Sequence, residues 1–271
     1  MNIDAIPIGI IFVVTIIVML LAIEAGDRLG QATRRRSEDE KESSVSTRTA
    51  AILGLLAFML AFTFGIVTDR YDARKALVRE EANAIRTTYL RSEFLPEPDH
   101  GEAADLLRQY VDLRLAAVQS RDLDLMQKAR IESEQIQHKL WDMAVVNARK
   151  DLNSDVAALY IESLNEMIDI QAVRVAVGLQ ARIPGGIWLV LYVLVIFGMI
   201  GMGYQTAIAG SARRSWATPI LAVSFSLVIA LIASLDRPNS SFITVSQQPL
   251  VDVRSSMVAH SEVLPSLGDK P

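Results

Sequence analysis

Four long stretches of the chain contain no Asp, Glu, Lys, Arg or His: residues 5–23, 49–68, 183–212 and 215–235. Each stretch supplies about the 20 apolar residues that a helix needs to cross a hydrocarbon core of roughly 30 Å. One such stretch could be a buried core helix of a water-soluble protein. Four of them in 271 residues instead indicate a polytopic membrane protein.

The charged residues, 21% of the chain, are concentrated between these stretches. The formal net charge of -4 gives no indication of nucleic-acid binding. No cysteine is present, which excludes disulfides and thiolate metal sites, and the three histidines, His100, His138 and His260, are scattered. The sequence contains no phosphate-binding loop, zinc-protease helix or nucleophile elbow. We therefore predict no metal, no cofactor and no enzymatic activity.

These patterns predict an all-α protein in which a water-exposed helical bundle is inserted between the second and third of four membrane spans. The predicted segments are a first span at 1–23, a flexible charged loop at 24–48, a second span at 49–68, the bundle at 69–182, a third span at 183–204, a short basic loop at 205–214, a fourth span at 215–235 and a C-terminal tail at 236–271.

Within the bundle, the second span is expected to continue as one helix, because no Gly or Pro occurs between Val67 and Arg91. Its buried stripe is predicted to contain Val78, Ala82, Ile85 and Tyr89. Further helices are predicted at about 123–150 and 154–182. The expected N-terminal caps are Asp99, in a capping box with Glu102, and Ser154. In the tail, a short helix through Val251 and Val258 is expected to give way to disorder at Pro265 and Gly268.

The short loops 24–48 and 205–214 hold eight Lys and Arg residues, which predicts that they are cytoplasmic. The bundle and both termini would then be periplasmic, in a bacterial inner membrane. Basic residues just after the second span, beginning with Arg70 and Arg74, count against this orientation.

The spans themselves limit the mechanism, because proton relays and charge-coupled carriers need an ionisable group at membrane depth. A passive pore or a structural bundle remains. Two rows of small residues indicate close helix packing or, for the serines, a hydrated path. The rows are Gly54, Ala57, Ala61 and Gly65 in the second span, and Ala222, Ser226, Ala230 and Ser234 in the fourth. Three further glycines, Gly198, Gly201 and Gly203, are expected at close helix contacts in the third span.

The run Phe58-Met59-Leu60-Ala61-Phe62, followed by Asp69-Arg70-Tyr71, resembles the pore-forming second helix of bestrophin anion channels. Residues from about Thr49 to Leu250 also resemble a bacterial family with a bestrophin-like domain. That second resemblance is carried by Glu80-Glu81-Ala82-Asn83-Ala84-Ile85, by Leu235-Asp236-Arg237-Pro238 and by Ile243-Thr244-Val245-Ser246-Gln247-Gln248-Pro249-Leu250.

The bestrophin resemblance implies a homopentamer in the lipid bilayer that conducts small anions through an apolar neck. The neck positions would be Phe58 and Phe62, with Gly54 where bestrophins carry a bulky residue. Packing of the two phenylalanines between helices or against lipid is the alternative. Bestrophins keep their large helical region in the cytosol, opposite to the orientation that the loop charges predict.

Asp236 and Arg237 follow the fourth span, where they are expected to pair with Arg70 or Asp69 or to serve as ordinary interfacial anchors. The leading hypothesis from the sequence is an oligomeric anion channel. The alternative is a non-conducting membrane sensor or scaffold whose bundle binds a ligand or partner.

Overall fold

The structure, a computed structural model, describes residues 6–35, 42–120, 123–180, 182–209, 217–237 and 243–267. All regular structure in these ranges is helical. In chain order the α-helices are α1 (Ile8–Arg34), α2 (Glu42–Arg91), α3 (Asp99–Ser120), α4 (Leu123–Ala148), α5 (Asp155–Gln180), α6 (Gly185–Ile208), α7 (Ala217–Asp236) and α8 (Gln248–Leu267), with a 3-10 turn at Ser92–Phe94.

Four of these helices, α1, α2, α6 and α7, are long and apolar enough to cross a membrane. Each of them contains most of one uncharged stretch, so the number and place of the candidate spans agree with the prediction. α2 is one unbroken helix of 50 residues, as the absence of Gly and Pro after Val67 indicated.

The chain divides into two compact units. The span unit comprises Met1–Tyr71 and Arg182–Thr244, and the bundle unit comprises Asp72–Ala181 and Val245–Pro271. The first part of α2 therefore belongs to the span unit and the rest to the bundle unit.

In the span unit, glycines allow α1 and α6 to approach closely. A Cβ atom added to Gly26 would overlap the carbonyl oxygen of Ile200, and one added to Gly203 would overlap that of Ile23. Cβ atoms at Gly198 and Gly201 would meet the side chains of α2 residues at 2.8 Å and 2.9 Å. The expected close-contact role of the three α6 glycines is therefore confirmed, and small residues at membrane helix interfaces act in this way.

The bundle unit has a continuous apolar core formed by α2, α3, α4, α5 and α8. The predicted stripe of Val78, Ala82, Ile85 and Tyr89 is buried in it. The largest contributions from the other helices come from Leu107 and Tyr110, Leu140, Tyr160, Leu164 and Met167. The last helix, α8, adds Leu250, Val253 and Met257, so the C-terminal region completes this core.

Two loop boundaries differ from the prediction. α1 continues to Arg34 and α2 begins at Glu42, so much of the predicted flexible loop 24–48 is helical. The extension of α1 is stabilised by side-chain pairs one turn apart, such as Glu24 with Arg28 at 2.9 Å, and by the packing of its glycines against α6. α6 likewise continues through Ile208 into the predicted loop 205–214. Residues 36–41 and 210–216 of these loops, with Arg213 and Arg214, lie outside the described residues.

The capping box at Asp99 does not form, because Asp99 is already the first residue of α3 and its carboxylate instead accepts a hydrogen bond from Asn147 Nδ2 at 2.7 Å. Ser154 does cap α5, since its Oγ accepts from the backbone N–H of Ala157 at 3.2 Å. α8 extends to Leu267, past the expected break at Pro265, and its first turns are anchored in the bundle core. Gly268 lies outside the described residues.

Candidate functional site

The aromatic pair of α2 lies on an open face of the helix. Phe58 is 65% exposed and Phe62 is 59% exposed, and their spacing of four residues places them about 40° apart around the helix axis. A Cβ atom added to Gly54, one turn before Phe58, would meet nothing within 4 Å. No described side chain of the same chain therefore covers this face near Gly54, and the two rings project from it.

The small residues of α2 also lie on this outer surface. Ala57, Ala61 and Gly65 are exposed, and a Cβ atom at Gly65 would again meet nothing within 4 Å. The opposite face is packed inside the span unit, where Leu56 and Val67 are completely buried. α2 thus has one face in its own unit and one apolar face that is available to lipid, to water or to another copy of the chain.

The row of small residues in α7 has the opposite environment. Ala222, Ser226 and Ser234 are completely buried and Ala230 is 7% exposed. The Ser226 hydroxyl lies 3.5 Å from the sulfur of Met19 on α1. The structure therefore places this row in the interior of the span unit, between helices, and does not bring it together with the small residues of α2.

Of the four charged residues singled out after the second and fourth spans, Arg70 and Asp236 lie together. Arg70 Nη1 is 3.6 Å from Asp236 Oδ1, and the same carboxylate oxygen accepts from the backbone N–H of Ile183 at 3.0 Å. Arg182 Nη1 donates to the carbonyl oxygen of Asp236 at 2.6 Å. Asp236 therefore ties the end of α7 to α2 and to the start of α6.

The other two charged residues lie elsewhere. Arg237 is 9% exposed, and its guanidinium donates to the carbonyl oxygen of Ile6, just before α1. Asp69 remains exposed on α2. The expected pairing therefore involves Arg70 and Asp236 rather than Asp69 and Arg237.

A second polar cluster lies in the core of the bundle unit, around Glu81. Glu81 is completely buried, and its carboxylate accepts from Arg114 Nε at 2.8 Å and from Arg174 Nη1. The Tyr110 hydroxyl lies 3.1 Å from Glu81 Oε1 and 3.0 Å from Gln171 Oε1. One carboxylate from α2 thus holds two guanidinium groups, from α3 and α5, and all three side chains are largely buried.

The same cluster extends to α4 and to the start of α8. Gln137 Nε2 donates to Gln171 Oε1, and Arg174 Nη2 donates to Gln247 Oε1 at 3.2 Å. Burial raises the pKa of Tyr110 to about 12, although the nearby Arg114 charge and the Gln137 hydrogen bond act against this shift. Burial also lowers the pKa of Arg174 to about 10, so the guanidinium keeps its charge at neutral pH. The cluster is a fixed hydrogen-bonded network at physiological pH.

Two other buried hydroxyls are not part of any such network. The Tyr160 hydroxyl and the Ser133 hydroxyl make no hydrogen bond with a described residue, although Tyr160 is only 1% exposed and Ser133 is completely buried. Burial raises the pKa of Tyr160. Among the side chains that the structure describes, no group of three His, Asp or Glu residues could hold a metal ion.

The Glu81 cluster was not predicted from the sequence, where Glu81 was named only within the run Glu80-Glu81-Ala82-Asn83-Ala84-Ile85. One signal could have shown it. Glu81 lies three residues after Val78 and four before Ile85, on the buried stripe of α2. A carboxylate on such a stripe requires partners of opposite charge, and these had to come from other helices.

The four apolar helices and the open aromatic face of α2 define a helical, multi-pass membrane protein. The chain belongs to the Bestrophin-like family, because the model of the Bestrophin-like domain matches residues 13–250. No curated protein sequence matches the chain significantly.

Solved structures with the same fold include a bacterial bestrophin homologue from Klebsiella pneumoniae that carries a Leu-to-Thr substitution. It is 14% identical, with a TM-score of 0.66 over 94% of this chain and 98% of its own. A structure described as a membrane protein with a Pro-to-Ala substitution is 15% identical, with a TM-score of 0.64 over 93% and 97% of the two chains. A related structure with a Ser-to-Ala substitution is 16% identical, with a TM-score of 0.62 over 97% and 99%.

Proposed function

We propose that the chain is one subunit of a homo-oligomeric anion channel in the bacterial inner membrane, in which copies of α2 surround the pore. The observation that carries the proposal is the open face of α2, where Phe58 and Phe62 project from a helix segment without ionisable side chains. An apolar face of this kind on a membrane span can contact lipid or line a pore. Membership of the Bestrophin-like family and the shared fold with a bacterial bestrophin homologue support the second role.

In this proposal the rings of Phe58 and Phe62 from each copy form a narrow apolar neck. The edge of an aromatic ring carries partial positive charge and can face an anion favourably. A dewetted apolar ring can also act as a gate. Gly54 adds no side chain one turn earlier, so the neck is about one turn long. Because the neck contains no titrating group, transport through it is passive.

The proposed topology places the bundle unit outside the bilayer, inserted between α2 and α6, with both termini on the periplasmic side. This topology is supported by the excess of Lys and Arg in the short loops.

The topology can be tested by cysteine labelling. The chain has no cysteine, so the labelling of a single introduced cysteine reports only on the position where it was introduced. Leu152 in the bundle unit is 85% exposed. In intact cells, Leu152→Cys should react with a membrane-impermeant maleimide. Labelling that occurs only after lysis would place the bundle in the cytosol.

The channel is tested with purified full-length protein in planar bilayers. Wild type should carry anion-selective current, and Phe62→Ala should change conductance or selectivity because it removes a ring from the neck. Phe64→Ala is the matched control, since Phe64 lies on the same helix, is 38% exposed and points about 160° away from Phe62. Silent bilayers with a correctly assembled oligomer would contradict the proposal. A monomer or dimer by native mass would favour the non-conducting sensor or scaffold.

A further inference from the structure

The span unit contains a groove of about 260 Å³ between α2 and α6. Its apolar wall is formed by Val45 and Ile52 on α2 and by Phe197 and Ile200 on α6, and Arg48 and Tyr204 also line it. The channel proposal makes no use of this groove, which is open along one side.

The polar lining residues lie at one end of the groove, where the apolar Val45 also lies, three residues before Arg48. Arg48 lies in the second turn of α2, and Tyr204 lies one turn before the end of α6. Phe197 precedes Tyr204 by seven residues, which corresponds to about 10 Å along the helix. The groove therefore has a cationic and aromatic end near the helix termini and an apolar part toward the middle of the spans.

The cationic end has charge that no described residue neutralises. Arg48 is exposed and pairs with no described residue. Arg34, at the end of α1, donates to the carbonyl oxygen of Ala207 at 3.4 Å, so a second guanidinium lies at the same end of α6. A guanidinium binds phosphate oxygens well, and basic pockets between membrane helices bind anionic head groups.

We propose that this groove binds an anionic phospholipid, with its phosphate on Arg48 and one acyl chain along Ile52, Phe197 and Ile200. A phospholipid is the occupant that matches both ends, because it joins a negative charge to an apolar chain that lies deeper in the bilayer. The bound lipid fills space between α2 and α6 and fixes the start of α2. The proposal requires that α2 and α6 span the membrane, but it does not require ion conduction.

The test is native mass spectrometry of the intact, detergent-purified protein with added phosphatidylglycerol or phosphatidylcholine. Wild type should bind phosphatidylglycerol more tightly than phosphatidylcholine. Arg48→Gln should weaken phosphatidylglycerol binding about fivefold and weaken phosphatidylcholine binding less, because the choline cation of phosphatidylcholine offsets the charge of its phosphate. Arg35→Gln is the matched control, because Arg35 is an exposed arginine after α1 that does not line the groove. It should change binding less than twofold.

A second pair of measurements tests whether an acyl chain of the lipid occupies the apolar part of the groove. Phe197→Ala should weaken binding of both lipids, and inorganic phosphate or glycerol phosphate should not displace phosphatidylglycerol. Three results would overturn the proposal: equal effects of Arg48→Gln and Arg35→Gln, displacement by phosphate alone, or a disulfide between copies of Phe197→Cys in native membranes. The last result would show that a second copy of the chain fills the groove.

Discussion

Arg70 on α2 and Asp236 at the end of α7 lie 3.6 Å apart, measured from Nη1 to Oδ1, and their side chains are 28% and 11% exposed. The same carboxylate holds the N–H of Ile183, so one side chain connects three of the four apolar helices. Partial burial reduces the screening of this ion pair by salt, although Arg70 Nη1 lies too far from Oδ1 for a hydrogen bond.

Asp236→Asn should lower the stability of the span unit by about 1–3 kcal/mol, because it removes the charge opposite Arg70 while an amide oxygen can still accept from Ile183. Thermal unfolding of the purified protein measures the change. Asp69→Asn is the control, since Asp69 is exposed, and it should have an effect below about 0.5 kcal/mol. Equal effects of the two substitutions would show that the Arg70–Asp236 pair contributes nothing specific.

Glu81→Gln should destabilise the bundle unit strongly, by about 3–5 kcal/mol, because Arg114 and Arg174 would then be buried without an opposite charge. Denaturant unfolding followed by tryptophan fluorescence reports on this unit through Trp141 when Trp188 and Trp216, which belong to the span unit, are replaced by Phe in all proteins compared. The neighbouring Glu80→Gln is the matched control, because Glu80 is exposed and should tolerate the change. A Glu81→Gln protein as stable as wild type would contradict the role of the cluster.

Two buried tyrosine hydroxyls should differ in their contribution to stability when each is removed by itself. Tyr110→Phe should cost about 1–3 kcal/mol, because Glu81 and Gln171 lose a partner. Tyr160→Phe should be neutral or stabilising, since that hydroxyl makes no hydrogen bond with a described residue. The comparison needs only the unfolding midpoints of the two variants. A marked loss of stability in Tyr160→Phe would reveal a water molecule bound to the hydroxyl.

The raised pKa of Tyr110 predicts a pH dependence in alkaline solution. Below pH 10 the hydroxyl is protonated in both states. Between pH 10 and about 12 the unfolded chain loses this proton first, so the stability present below pH 10 is lost as the pH rises through 12. The contribution is about 1.4 kcal/mol per pH unit.

The measurement compares the free energy of unfolding of wild type and Tyr110→Phe at pH 9, 10 and 11. Arg174, whose pKa is lowered to about 10, acts with the opposite sign in both proteins, so the difference between the slopes isolates Tyr110. The decline in stability with pH should be shallower in the variant. Parallel slopes would exclude the predicted contribution.

Gly26→Ala should weaken the packing of α1 on α6, because the new methyl group would overlap the carbonyl oxygen of Ile200 and the helices must separate. We expect a cost of about 1–3 kcal/mol. Gly9→Ala, on the same helix with nothing within 4 Å of the added carbon, should instead be neutral or gain up to about 1 kcal/mol. Thermal stability of the two variants in one detergent checks the contrast.

Much of the fold could be predicted from the sequence, because spans and buried stripes depend on local composition and on the helical period. The uncharged stretches and the stripe from Val78 to Tyr89 are of this kind. The length of α1 could not be predicted in this way, because the extension of α1 to Arg34 depends on packing against α6. That helix lies more than 150 residues later in the chain.

The candidate sites also depend on contacts between distant parts of the chain, which the sequence does not reveal. The aromatic pair Phe58 and Phe62 could be singled out from its spacing, but no sequence pattern reveals that its face is uncovered. The partners of Glu81 come from α3 and α5, 33 and 93 residues away, so only the tertiary structure brings them together. The different surroundings of the small residues in α2 and α7 also depend on which helices are neighbours.

The contribution of α8 to the bundle core has a consequence for biosynthesis. Leu250, Val253 and Met257 leave the ribosome only after α6 and α7 have been made, whereas their neighbours in α2 to α5 were made earlier. At about 5–20 residues per second, the nascent bundle must wait several seconds with an apolar groove open where α8 will pack. Final folding of the bundle therefore follows synthesis of the last span, and a chain that stops after α7 would present that groove to chaperones and proteases.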